Sequence, residues 1–154
     1  MTIKATNSII IAKAIKSVFE FISNLENDKL WRKEINNTTM SSKPQINALA
    51  IENSFLSKRV PNHILQLKCT EFSENKQVIY QTLPDSPFFL KSDRRVEFIS
   101  FNETKVIYGI EFDKNIVRHG LGFTLPTFII NWVTKTDMQK YLTKLKAVIE
   151  GTES

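Results

Sequence analysis

The sequence contains few of the residues that build nucleotide-binding loops, disulfides and zinc sites. Its 154 residues include only four glycines, one cysteine and two histidines. The glycines are too scattered for a G-x-G-x-x-G or G-x-x-x-x-G-K-S/T phosphate-binding loop. The lone cysteine, Cys69, excludes an intrachain disulfide, and it forms no zinc-binding spacing with His63 and His119. We therefore expect no metal and no nucleotide cofactor.

Long apolar runs and clusters of positive charge are also absent. The longest stretch without formal charge, between Arg118 and Lys135, contains two glycines, Pro126 and Asn131, which disfavour a membrane-spanning helix. The first residues lack the basic and then apolar pattern of a secretory signal. The net charge is +5, but basic residues never run longer than two, too dispersed to follow nucleic-acid phosphates. These features predict a cytoplasmic protein with no nucleic-acid partner and no stable membrane insertion.

The composition is that of a folded protein. Hydrophobic residues make up 42% of the chain and charged residues 24%, and there are eleven phenylalanines. A chain of this length buries most of the surface that its unfolded state exposes. Because no repeat or linker-like segment interrupts it, we expect one domain over residues 1–154.

Hydrophobic periodicity predicts a strand, two short helices, a meander of strands and a long helix. Residues 2–11 alternate like a half-buried strand, residues 15–22 repeat like an amphipathic helix, and residues 25–31 add a helical turn. Residues 35–113 are strand-like segments separated by polar turns. A helix capped by Thr124 or Thr127 should end at Glu150, before Gly151. Its predicted apolar stripe is Leu125, Phe128, Ile129, Trp132, Val133, Met138, Leu142, Leu145 and Ile149.

Three segments carry a resemblance to a known superfamily. Residues 9–24, IIIAKAIKSVFEFISN, with Trp31 after them, resemble the opening strand and helix of SRPBCC or START-like proteins. Residues 68–72, KCTEF, and residues 141–150, YLTKLKAVIE, resemble a central strand and the closing helix of the same superfamily. The resemblance implies an α+β helix-grip fold: a curved seven-stranded antiparallel sheet wrapped around a long C-terminal helix, with two short helices after the first strand.

The resemblance also implies a cavity between the sheet and the long helix. Aromatic residues on the predicted inward faces would line it and suit a flat or lipidic ligand. The alternative is that these rings simply fill the core. The candidate lining residues are Trp31, Phe55, Tyr80, Phe98, Tyr108, Phe112, Phe128 and Trp132.

Candidates for acid–base chemistry are few. His119 has a suitable ordinary pKa and lies in a glycine-flanked segment, where the alternative is an exposed loop histidine. Glu71 has the same strand parity as Leu65 and Leu67, and the alternative is a solvated strand end.

Three functions are open at this point. The first is binding, and with it transport, of a hydrophobic or amphipathic small molecule. The second, implied by the resemblance, is a polyketide cyclase or aromatase reaction in the same cavity. The third is a protein-interaction module of the same fold, which a basic charge and a filled core would favour.

Overall fold

The computed structural model describes residues 1–151. Seven strands carry the sheet: β1 (Thr2–Ile11), β2 (Ile35–Met40), β3 (Leu49–Ser54), β4 (His63–Ser73), β5 (Gln77–Thr82), β6 (Leu90–Ser100) and β7 (Glu103–Asp113). The helices are α1 (Ile15–Ser23), a 3-10 helix (Leu25–Leu30), α2 (Asn115–Leu121) and α3 (Thr127–Glu150).

The strands form one antiparallel sheet that curls into a half-barrel, with the order β1-β7-β6-β5-β4-β3-β2. Each strand from β2 to β7 pairs with its neighbour in sequence, and β1 joins the far edge beside β7. The α+β helix-grip fold, its seven strands and the two short helices after β1 are confirmed.

Alternation of side chains defines the inner face of the sheet. The inward residues predicted for β4, β5 and β7 are buried, apart from a partly exposed Ile110. A bulge interrupts this alternation in β4: Cys69 pairs with Tyr80, but Glu71 pairs with Ile79, which leaves Thr70 as an extra residue. Beyond the bulge the parity of β4 is reversed.

The long helix α3 packs mainly along β1. Its second half buries the predicted residues Met138, Leu142 and Leu145, and Lys146 Nζ donates a hydrogen bond to the Ile10 carbonyl at 3.0 Å. The helix ends as predicted, because Gly151 adopts a left-handed φ of 71° that lets its N–H reach back to the last turn. The predicted threonine cap was wrong: Pro126 occupies the N-cap position and no side chain caps the helix.

In and just before the first half of α3, the inward side keeps only part of the predicted apolar stripe, Leu125 and Val133. Ile130 is buried, whereas Phe128 and Trp132 are 73% and 69% exposed. The polar residues of this segment, Thr127, Asn131 and Thr134, recur at i, i+4 and i+7, so its hydrophobic pattern favours the opposite, aromatic side as the inward one. Packing overrides that pattern.

The short helix α2 was not among the predicted helices. It ends at Gly122, whose φ of 83° suits glycine, and a Cβ there would lie 1.9 Å from Arg59 Nη1. The absence of a Cβ at Gly122 lets the Arg59 side chain, from the loop that follows β3, lie close to the turn between α2 and α3.

A buried ion cluster joins the 3-10 helix to the middle of the sheet. The fully buried Asp28 carboxylate accepts hydrogen bonds from Arg94 Nη1 and Nη2 at 2.8 and 2.6 Å, and from Arg32 Nη1 at 2.9 Å. The Arg94 guanidinium carbon lies 5.1 Å from the ring centroid of Trp31 and 5.5 Å from that of Tyr108. Each buried charge in the cluster has a partner of opposite sign. Removing one residue would therefore leave another charge buried without its partner, which is strongly destabilising.

Replacing Asp28 tests this dependence. We expect Asp28→Asn to lower the free energy of unfolding by about 3–5 kcal/mol, because it leaves two buried arginines without their shared carboxylate. The measurement is urea unfolding followed by circular dichroism. The control is Lys4→Gln, which removes the partner of an exposed ion pair with Glu111 and should cost less than about 1 kcal/mol. Equal losses for the two variants would contradict the prediction.

Candidate functional site

A cavity of about 340 Å³ lies between the inner face of the sheet, α2 and the first half of α3. Most of its wall is apolar. The strands contribute residues through their inward alternation, and α2 and α3 close the opposite side. The main apolar lining residues are Leu65, Leu90, Ile110, Phe112, Ile116, Val117, Leu125, Ile130 and Val133.

Close backbone packing shapes the α2 side of the wall. A Cβ on Gly120 would lie 3.1 Å from Leu56 Cβ, so glycine lets α2 approach the loop after β3. The Ser57 hydroxyl donates a hydrogen bond to the Gly120 carbonyl at 2.6 Å across the same contact. Phe55 begins this loop at the cavity mouth, where it is partly exposed.

Charged residues are concentrated in one part of the wall. Arg32 Nη2 and Nε donate to Glu34 Oε1 at 2.8 and 3.1 Å, and Arg32 Nη1 lies 3.4 Å from Glu52 Oε2. Asp137 and Tyr141 of α3 line the cavity together with these residues. We call Arg32, Glu34, Glu52, Asp137 and Tyr141 the polar cluster.

Burial shifts the protonation of two members of the polar cluster. The pKa of Glu52 is raised chiefly because burial disfavours its charge, and Asp28 and Glu34 add to this effect while Arg32 opposes it. The pKa of Tyr141 is raised by burial and by the negative charge of the nearby Glu34 carboxylate. Glu52 therefore holds its proton more readily than a carboxyl group in water.

Two of the eight residues predicted to line the cavity do so: Phe112 on β7 and Phe55 at the mouth. Three others are core residues beside the ion cluster. Trp31 and Tyr108 pack edge to face with ring centroids 5.4 Å apart, and the Tyr80 hydroxyl donates to the Ser23 carbonyl at 2.7 Å. These three rings therefore fill the core, as the alternative interpretation of the sequence expected.

The other three predicted lining residues lie at the surface. Phe128 and Trp132 are on the side of α3 that faces away from the sheet. Phe98 has the inward parity of β6, but it is 59% exposed because it lies near the uncovered tip of the β6–β7 hairpin, against Phe101. For these residues the predicted inward position was wrong.

Neither acid–base candidate lines the cavity. The bulge at Thr70 reverses the parity of β4, so Glu71 is exposed and Phe72 packs inward against Phe19 instead. His119 is an exposed residue of α2, and its ring lies 5.6 Å from that of His63. His63 itself is buried, which lowers its pKa.

Sequence reasoning missed the polar cluster. A signal for part of it exists, because Ile130, Thr134, Asp137 and Tyr141 recur at helical spacing and form one face of α3. Glu52 shares its inward parity in β3 with Ala50 and Ser54. Arg32 and Glu34 lie between elements, where periodicity gives no direction.

The raised pKa of Glu52 predicts a pH dependence of stability. Above about pH 4.5, the usual value for glutamate, the unfolded state loses its proton before the folded state does. This residue's contribution to stability is therefore present at acid pH and is lost as the pH rises through the folded pKa. The free energy of unfolding of Glu52→Gln, relative to that of the wild type, should therefore increase as the pH rises. The measurement is urea unfolding between pH 4.5 and 8. A difference that is constant with pH would contradict this.

Metal-binding clusters and membrane-spanning helices are both absent from the described residues. Over residues 1–151, no group of three potential ligands among histidine, cysteine, aspartate and glutamate is placed to hold a metal ion. None of the helices in this range combines the length and apolar character needed to cross a membrane.

Comparison with known proteins identifies relatives in structure only. No protein-family profile and no curated protein sequence matches the chain. A START superfamily protein from Mycobacterium smegmatis has a TM-score of 0.75 at 10% identity, with 97% of this chain and 99% of that chain covered. The Zhui aromatase/cyclase from Streptomyces has a TM-score of 0.71 at 10% identity, covering 97% and 94% of the two chains. A protein from Thermus thermophilus has a TM-score of 0.70 at 11% identity, covering 99% and 100%. This chain therefore has the START-like helix-grip fold that its sequence motifs predicted.

Proposed function

We propose that this protein binds a hydrophobic or amphipathic small molecule in the cavity between the sheet and α3. The observation that carries the proposal is the cavity itself, which has an apolar wall and a polar cluster in one part of it. Its volume of about 340 Å³ is near the lower end of the range typical of small-molecule sites. Phe55 and Phe112 are the proposed aromatic ligand contacts.

Two further observations support binding. A filled core would have favoured the interaction-module alternative, and the cavity removes that argument. The chain shares its fold with a START superfamily protein from Mycobacterium smegmatis and with an aromatase/cyclase from Streptomyces. We place the binding site within one domain and expect the protein to act in the cytoplasm.

A matched pair of threonine variants tests the site. Thr134 lines the cavity, whereas Thr136, on the same helix, does not. We expect Thr134→Phe to weaken binding of the neutral dye Nile red at least about tenfold, because the ring occupies ligand space, a loss of about 1.4 kcal/mol. Thr136→Phe should bind within about twofold of the wild type. The measurement is a fluorescence titration, with circular dichroism to verify folding.

Native mass spectrometry of the purified protein provides an independent readout. A co-purified small molecule that is retained by the wild type and by Thr136→Phe, but lost from Thr134→Phe, would support the site. Equal Nile red affinity for all three proteins would contradict it.

A second candidate function is acid–base catalysis in the same cavity, favoured by the raised pKa of Glu52. In a cyclase-type reaction, the Glu52 carboxylate would take a proton from a methylene flanked by two carbonyls. The resulting carbanion would form a carbon–carbon bond with a second carbonyl, whose oxygen would then receive the proton. The aromatase/cyclase among the structural neighbours supports considering this reaction.

This candidate is tested with a synthetic linear triketone and Glu52→Gln. We expect the wild type to accelerate cyclisation and the variant to be slower by about 100-fold, while Nile red affinity stays within threefold, since the variant removes only the proton acceptor. The measurement is the absorbance change of the triketone. Catalysis is contradicted if the wild type gives no acceleration or the variant keeps the full rate.

A further inference from the structure

The polar cluster contains more acids than bases, and this imbalance bears on which ligands fit. The charged residues that line the cavity are one arginine, Arg32, and three carboxylates, Glu34, Glu52 and Asp137. No lysine contributes to the wall. The Arg94 charge behind the cluster is already matched by Asp28. Burial favours the neutral form of Glu52, but Glu34 and Asp137 still outnumber Arg32, so the cavity presents a negative potential to a ligand at this end.

Most of the donor capacity of the single lining cation is already used, because four of the five N–H groups of Arg32 donate to protein carboxylates. Arg32 Nε and Nη2 both donate to Glu34 Oε1, and Arg32 Nη1 donates to Asp28 and Glu52. A carboxylate or phosphate is bound best by the open fork of a guanidinium, and all three nitrogens of this one already contact protein carboxylates.

Hydrogen-bond acceptors, in contrast, are available to a ligand. Asp137 lines the cavity. Its Oδ1 lies 4.0 Å from Lys33 Nζ, and the Lys33 side chain is 69% exposed, so this ion pair is weak. The Ser54 and Thr134 side chains also line the wall and can accept hydrogen bonds. A ligand that brings N–H or O–H donors satisfies these groups, whereas an anion is repelled by the Glu34 and Asp137 carboxylates.

We propose that the polar group of the ligand is a hydrogen-bond donor without negative charge, a hydroxyl or an amine, and that the cavity discriminates against fatty acids and other anions. This inference rests on the proposed binding function and names the class of ligand. It concerns the cavity alone, because the chain as a whole has a net charge of +5 and would attract anions to its surface. The net positive charge of the protein would favour the anion, so a preference for the amine must arise from the polar cluster in the cavity.

Competition against Nile red tests the inference with three ligands of the same chain length. At pH 7.5 and below their micellar concentrations, decylamine and decan-1-ol should displace the dye at concentrations at least about tenfold lower than decanoate requires. Asp137→Asn, which removes one lining charge, should narrow the ratio between decylamine and decanoate by about fivefold. The matched control, Glu97→Gln on the exposed side of β6, should leave that ratio unchanged.

The outcomes separate the inference from the function on which it rests. If Nile red binds and Thr134→Phe weakens its binding at least about tenfold, but decanoate competes as well as decylamine, the ligand class is wrong and the binding site stands. If Asp137→Asn and Glu97→Gln change the ratio equally, the preference does not arise in the cavity and the inference is overturned. If Nile red does not bind the wild type at all, the proposed function and the inference fail together.

Discussion

The pairing of the buried Asp28 carboxylate with two arginines is the interaction on which the rest of the structure depends. A charge that is removed from water must be neutralised where it lies, so the 3-10 helix that carries Asp28 has to meet β6 at Arg94. Arg94 Nη1 also donates to the Ile22 carbonyl at 2.9 Å, which brings the end of α1 to the same point. One ion cluster thus fixes two helical segments on the sheet.

The same cluster divides the space between the sheet and the helices into two parts. Around Arg94, the Trp31 and Tyr108 rings pack against the guanidinium, and none of these three residues lines the cavity. On the other side, Arg32 extends from the cluster to Glu34 and Glu52, where the apolar cavity begins. The polar cluster is therefore an extension of a structural ion network, and its geometry is set by folding before any ligand arrives.

Much of the fold could be predicted because local patterns agree with the final structure. The alternation in β1 and β7 and the spacing in α1 each determine one buried face. The glycine at position 151 determines the end of α3. The resemblance to a known superfamily predicted how these elements are arranged in space.

The site was harder to predict because it depends on departures from regular patterns. One extra residue in β4 turns Glu71 to solvent, and no periodicity in the sequence marks that bulge. The start of α3 turns Thr134 toward the cavity and Phe128 and Trp132 away from the sheet, against its hydrophobic pattern, so only packing places these rings. Arg32 acquires its role through Asp28 and Glu52, and the contact with Glu52 is set by strand register.

The pairing of β1 with β7 has a consequence for how the molecule folds. The ladder joins Thr2 to Asp113 and Ile11 to Thr104, so its contacts close a loop of most of the chain. Contacts between residues so far apart in sequence carry a large entropic cost and form slowly. Because α3 packs on β1, its docking waits for that ladder. Assembly of the hairpins from β2 to β7 is thus expected to come first, and the cavity is the last part of the molecule to take shape.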